Sequence, residues 1–300
     1  PPPRTPRCTH RRQRQMCIRD RLTPEQRQQW WRHTDFNGSF QAELIRVLGV
    51  ELSSLEIPVT VTDGLAVADL QGRVNQGGLL LRPHVDMRSE PPVLTIPDNS
   101  LVLDRMQITR DMANQLLARI HPLFMGASQM SGTVDLNLER FTWPLGRDSL
   151  DDLQFSGFMD FNEVRLESSA LIGSLLQVLR VEESGIDLSG RQIRFEGKDG
   201  RITTNPLRTN LSDSELIISG SLGLDTTIDY LAQAEVTERL VGGDLYNYLE
   251  GTTIHVPIGG TLSSPDISAQ TVQRAVTDLV NQAGQKKLQE AAGDLLKRLF

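Results

Sequence analysis

The 300-residue chain is 38 % hydrophobic and 23 % charged, with a formal net charge of −7, and is long enough to bury a sizeable core. Its charge is uneven: residues 1–21 carry seven Arg and a net +6, residues 22–300 a net −13, and an acidic body argues against a nucleic-acid partner. Both cysteines, Cys8 and Cys17, lie in the basic stretch, so residues 22–300 have no disulfide framework and no thiolate metal ligand.

Residues 1–21 have no apolar period. Gln15-Met-Cys-Ile-Arg-Asp20 back-translates as CAG-ATG-TGT-ATA-AGA-GAC, which resembles the transposase mosaic-end adapter of sequencing libraries. Residues 1–21 are therefore expected to be a non-native or disordered tail and are set aside from fold reasoning. The chain is expected to be a fragment whose upstream part, with any membrane anchor, is missing. No apolar run approaches the roughly 18–20 residues of a transmembrane helix.

Residues 22–56 read as a short helical lead-in. Thr23-Pro24-Glu25 is a helix start with Pro at the first position, and a second short helix is expected over 38–48. From Ile57 the period becomes two. Ile57, Val59 and Val61 alternate with other residues, Asp63-Gly64 supplies a hairpin turn, and Gly77-Gly78 supplies another. Further strands carry Leu79 and Leu81, Val93 to Ile96, and Leu101 with Leu103, the last two groups separated by an Asp98-Asn99 turn. A helix is expected over 109–121, ended by Pro122. Val134, Leu136 and Leu138 then face one way and Thr133, Asp135, Asn137 and Glu139 the other.

Phe155, Met159 and Phe161 make the next strand, with a bulge before Val164 and Leu166. A helix over 168–179 carries Leu171, Leu175 and Leu179. Strands resume with Ile186, Ile193 and Ile202, the last after an Asp199-Gly200 turn, and then Leu216 to Leu224 and Ile228 to Val236. A third helix over 238–249 is weakened by Gly242-Gly243. Ile254, Val256 and Ile258 form the last strand, and an amphipathic helix closes the chain over 268–300. The order of strands, helix and strand in 79–138 recurs in 202–258, as architecture rather than as residue identity. The expected fold is mainly β: a long curved antiparallel sheet, an open groove or half-barrel, with short helices inserted between strand groups.

Catalytic chemistry is not legible. His33, His84, His121 and His255 have no metal-ligand partner at a useful spacing, and His255 falls on the polar face of its strand. Asp151-Asp152 reads as an exposed turn. The glycine pairs form no phosphate-binding loop, and no serine sits in a nucleophile elbow. The chain is expected not to be an enzyme, with no catalytic residue, no metal and no cofactor. What remains is the one-faced apolar sheet, which inserted helices cover as core or leave open as a groove.

Asp199-Gly-Arg-Ile-Thr-Thr-Asn-Pro-Leu207, Leu216-Ile-Ile-Ser-Gly-Ser-Leu-Gly-Leu-Asp225 and Val256-Pro-Ile-Gly-Gly-Thr-Leu-Ser-Ser-Pro-Asp266 together resemble the C-terminal region of AsmA-like proteins. Gly157-Phe-Met-Asp-Phe-Asn-Glu-Val-Arg-Leu166 is similar to that family's upstream strands. The resemblance covers about 130–300 by motif and 57–130 by architecture. Pro257 departs from a continuous strand and suggests an edge. The resemblance implies a non-enzymatic periplasmic protein, related to TamB-like bridge-type lipid carriers and anchored in the inner membrane by an upstream helix. Phospholipid would lie in an apolar groove and move toward the outer membrane. The residues expected to line it are Val134, Leu136, Leu138, Leu216, Ile218, Leu222, Leu224, Ile228, Tyr230, Ile254, Val256 and Ile258. The competing expectation is a structural or assembly module with a closed core that contacts outer-membrane proteins.

Overall fold

A computed structural model describes residues 35–146, 150–167, 170–182, 185–211, 214–241, 246, 247, 249–267, 274, 277, 278, 281 and 284. Alternation of apolar and polar residues makes these segments strands, and turn residues set where they reverse. Asp63-Gly64 and Asp199-Gly200 take left-handed φ of 48° and 78°, and of 52° and 72°, as two-residue hairpins require. The result is one antiparallel meander in which each row, made of one strand or of two strands end to end, pairs with the rows before and after it. Its rows begin with β1 (Phe36–Val47) and β2 (Val50–Thr62). Next come β3 (Leu65–Ala68) with β4 (Leu70–Val74), β5 (Gly77–Leu81) with β6 (His84–Asp86), and β7 (Val93–Ile96) with β8 (Ser100–Gln107). The sheet continues through β9 (Gln129–Pro144), β10 (Gln154–Glu167), and β11 (Gly185–Asp187) with β12 (Gln192–Lys198). It finishes with β13 (Arg201–Leu211), β14 (Ser214–Gly223), β15 (Ile228–Glu235), β16 (Thr253–Thr261) and the short β17 (Ser264–Asp266). Among the described residues β1 and β16 do not pair, so the sheet has two free edges.

Several strands change parity by a three-residue step. Apolar positions run Val50 and Leu52, then Leu55, Ile57, Val59 and Val61 in β2. The same step separates Leu103 from Met106, Phe161 from Val164, and Thr204 from Leu207. At each of them the pairing register shifts, and Ser54, Arg105 and Glu163 take φ of 52°, 47° and 51°. Each bulge adds one residue and keeps the apolar set on one face. Gly132 lies opposite the third bulge with φ of 106°, where a Cβ would sit 2.6 Å from the Glu163 carbonyl. Gly132→Ala is expected to cost about 2–3 kcal/mol in denaturant unfolding, from strain plus overlap. Gly190→Ala is the control, with φ of 68° and no neighbour within 4 Å. Equal costs for the two would remove the overlap argument.

All three helical insertions sit at one end of the sheet. They join β8 to β9, β10 to β11 and β15 to β16, whose ends there lie opposite one another. The first is a helix over Arg110–Gln115 followed by two 3-10 turns, Leu117–Arg119 and Pro122–Phe124. Thr109 caps it, its Oγ1 accepting from the Met112 amide at 3.2 Å. The second is Ala170–Val178, and the third begins with Glu238–Val241. Together they bury Met112, Leu117, Phe124, Leu171, Ile172, Leu175 and Leu240 against the sheet. Phe124 stacks on Phe161 with ring centres 5.6 Å apart, and Arg180 Nη1 donates to the Arg239 carbonyl at 3.2 Å, tying the second insertion to the third.

Several expectations change. Residues 38–47 form a strand instead of a helix, with Leu48 in the turn that follows: Phe36, Gly38, Phe40 and Ala42 repeat every second residue opposite Val61, Val59, Ile57 and Leu55 of β2, which outweighs the helical propensity of Ala42-Glu-Leu-Ile-Arg. The lead-in is thus strand from Phe36 onward, while residues 22–34 lie outside the described residues. The turn expected at Gly77-Gly78 falls on Asn75-Gln76, with φ of 42° and 69°. Gly77 instead permits close approach, since a Cβ there would press on the Asp104 and Arg105 carbonyls. Pro122 opens a 3-10 turn where it was expected only to end a helix. Of the closing helix, Arg274, Thr277, Asp278, Asn281 and Gly284 are helical and exposed; the remainder lies outside the described residues. Residues 242–245 and 248 of the third insertion do also. No described helix is long and apolar enough to cross a membrane.

Candidate functional site

Directly opposed residues of an antiparallel sheet share a face, so the register lets the apolar face be followed across every row. At the helix-bearing end a ladder runs Thr209, Leu216, Ala234, Ile254, and each member is at most 4 % exposed. The next ladder, Leu207, Ile218, Ala232 and Val256, is equally buried. At the opposite end, among the earlier strands, a ladder runs Phe36, Val61, Ala66, Val85, Leu94 and Trp143. None of these six is buried: Phe36 is 44 % exposed and the rest are half-buried. Phe40, Ile57, Val59, Leu70, Leu81 and Phe141 extend the same half-open surface, Phe40 being 59 % exposed. Helices cap the later strands, whereas no helix is inserted between β1 and β8.

The twelve residues expected to line a groove therefore divide. Val134, Leu216, Ile218, Leu222, Ile228, Tyr230, Ile254, Val256 and Ile258 are all at most 5 % exposed and belong to the packed core. Leu136 and Leu138 are half-buried at its border. Leu224 is 40 % exposed, which corrects its expected inward position. β14 ends at Gly223, and the Leu224 amide donates to the Gly200 carbonyl in the turn beyond. His255 and Pro257 are exposed on the outer face of β16, and Pro257 occupies the edge that its missing N–H suits. The half-open surface on β1 to β7 went unselected, although the sequence carried its signal: seventy residues of one-faced alternation without a helical insertion.

One polar group is buried inside the cap. His121 is fully buried, its ring edge-on to Tyr230 with centres 4.9 Å apart at 64°. Its Nδ1 accepts from the Leu123 amide at 3.2 Å, which places the proton on Nε2, and Nε2 has no hydrogen-bond partner. Burial without a nearby charge pushes the imidazole down to about 3. The Tyr230 hydroxyl shares a hydrogen bond with Thr204 Oγ1 at 3.1 Å, and burial raises its pKa to about 12. Both side chains are buried, His121 fully and Tyr230 at 2 % exposure.

A second polar group of residues sits at the helix-free end. Arg201 donates to Ser221 Oγ and Thr227 Oγ1, each at 3.0 Å, and Asp225 Oδ1 accepts from the Thr227 amide at 3.0 Å. The Thr227 hydroxyl, which donates to Asp225 Oδ1 at 2.7 Å, and then the Thr227 amide hold Asp225 below the ordinary carboxylate range. Asp151, Asp152 and Asp199 border the same depression, of about 470 Å³. Among the described residues no group of His, Cys, Asp and Glu is arranged to hold a metal ion. The arrangement with the largest chemical consequence is thus the half-open apolar surface itself, although Leu80, Leu101, Leu150 and Leu224 are exposed elsewhere. No family model, no curated protein and no solved structure matches this chain.

Proposed function

We propose that this protein binds the acyl chains of phospholipid on the half-open apolar face of β1 to β7, as a non-enzymatic periplasmic relative of AsmA-like proteins. The observation that carries the reading is the uncapped ladder from Phe36 to Trp143. Its six rows span roughly 24 Å at about 4.8 Å per row, a length that suits an extended acyl chain. Each methylene leaving water there contributes roughly 0.8 kcal/mol when fully covered. Because neighbouring rows offer similar side chains, successive positions are close in energy and a chain slides without a deep trap. Headgroups remain in water, and the acidic body needs no nucleic-acid partner. A membrane anchor upstream and contacts with outer-membrane proteins complete the proposal.

The closed-core assembly module is a second reading, favoured by the burial of nine of the twelve expected groove residues in the packed core. Lipid occupancy separates the two. Native mass spectrometry of the chain after incubation with phosphatidylethanolamine and phosphatidylglycerol vesicles is expected to show bound phospholipid. Val61→Asp combined with Val85→Asp is expected to weaken binding at least about tenfold, because charge desolvation opposes it, with unchanged circular dichroism. Thr60→Asp, on the opposite face, leaves binding intact. A wild-type chain that stays lipid-free, or a double variant that keeps its lipid, would sink the reading.

A further inference from the structure

We infer that Phe155 ends the half-open apolar surface and so limits the length of acyl chain that the protein accepts; this deepens the lipid reading proposed above and rests on it. One rung of the sheet runs Phe141, Phe155, Gly197, Ile202, Leu222, Ile228, each residue directly opposite the next, so all six share a face. Exposure along the rung drops after Phe155. Phe141 and Phe155 are half-buried, as is Trp143 beside them on β9, whereas Ile202, Leu222 and Ile228 are at most 6 % exposed. The face is therefore open on the β9 side of Phe155 and closed on the β13 side.

Rings that cross from strand to strand build this boundary. A Cβ on Gly197 would run into the Phe155 ring, so that ring leans over β12. Phe195 leans the other way: a Cβ on Gly157 of β10 would sit 3.0 Å from Phe195 Cζ. The ring centres of Phe141 and Phe155 are 6.5 Å apart and those of Phe155 and Phe195 5.9 Å, separations at which aromatic rings touch. The rows from Phe36 to Trp143 thus run into an aromatic wall one row further on. An acyl chain laid across them has its terminal methyl against Phe155 and its headgroup toward β1, because a headgroup must stay in water. Rows spanning roughly 24 Å hold an extended stearoyl chain and are too short for a lignoceroyl chain.

Competition between distearoyl and dilignoceroyl phosphatidylglycerol tests the limit. Both are offered to the full chain in equal amounts in mixed vesicles, and the bound lipids are counted by native mass spectrometry. Phe155→Ala is expected to raise the lignoceroyl-to-stearoyl ratio at least about fivefold over the wild type, since each further methylene covered is worth about fourfold. Comparing one lipid pair across two proteins cancels the lipids' different hold on the vesicle. Phe155→Leu keeps a smaller apolar side chain, should raise the ratio less, and serves if the alanine variant fails to fold. Phe158→Ala, on the outer face of β10 beneath Arg194, should leave the ratio at its wild-type value. A ratio unmoved in the Phe155 variants, including equal loss of both lipids, overturns the inference and leaves the lipid reading standing. Failure of both Phe155 variants to fold assigns the ring to the core and overturns it as well. A wild-type chain that binds neither lipid overturns both.

Discussion

Acidification from pH 6.5 to about 4.5 is expected to destabilise this protein by about 2–3 kcal/mol through His121 alone. The unfolded chain titrates this imidazole at 6.5, while the folded chain holds it at about 3. Between those values the unfolded state carries a proton that the folded state refuses. Stability is therefore complete above 6.5 and falls with decreasing pH by up to about 1.4 kcal/mol per unit, levelling off near 3. The cause is geometric: His121 is fully buried between Leu123, Phe124 and Tyr230, and a charged imidazolium would have no counter-ion there. His121→Phe keeps a ring of similar size and removes the titration. It should cost about 1 kcal/mol at pH 7 for the lost Leu123 amide acceptor, and its stability should be flatter between 6.5 and about 4.5. Chemical denaturation across that window measures both. The lowered carboxylates Asp86, Asp187 and Asp225 are exposed or nearly so and titrate below 3.8, outside it. An identical pH slope in His121→Phe would show that the cap tolerates the proton.

Ile218→Asp should unfold the chain. Ile218 is 0 % exposed, lies opposite Leu207 and Ala232, and is roofed by the helical cap. Burying an unpaired carboxylate there costs more than about 5 kcal/mol, comparable with the whole stability of an ordinary domain at about 5–15 kcal/mol. Ile218→Val, which removes one methyl group, should cost about 1 kcal/mol. Val61→Asp places the same charge on the same face of the sheet at a half-open position and should cost less than about 1.5 kcal/mol. Circular dichroism and thermal melting of the three variants distinguish a capped core from an open surface. A cooperative, native-like melt for Ile218→Asp would mean that the cap opens readily and that the later strands also present their apolar face to solvent.

Much of the architecture was legible because sheets advertise themselves by period. Val134, Leu136 and Leu138 have one parity, as do Ile254, Val256 and Ile258, and a single face is the only arrangement that buries them. The bulge after Phe161 was readable for the same reason, as a step of three in a period of two. Asp63-Gly64 and Asp199-Gly200 named their turns through φ that few other residues accept. The strand over 36–47 was misread because Ala42, Glu43 and Leu44 favour helix locally, and only pairing with β2 reveals the alternation as the stronger term. Leu224 was misplaced because alternation does not say where a strand ends; the Asp225-Thr226 turn does.

Sequence by itself determined that this chain is an antiparallel, one-faced β protein with helices inserted at a few points, since local period and turn chemistry are properties of short segments. Only the tertiary structure decided where that face is covered. Coverage depends on which strand ends meet in space, and the three insertions, distant in sequence, converge at one end because each follows a strand running the same way. That convergence buries Ile218 and Val256 and leaves Val61, Val85 and Phe40 at the surface, although all five follow the same alternation of apolar residues along their strands.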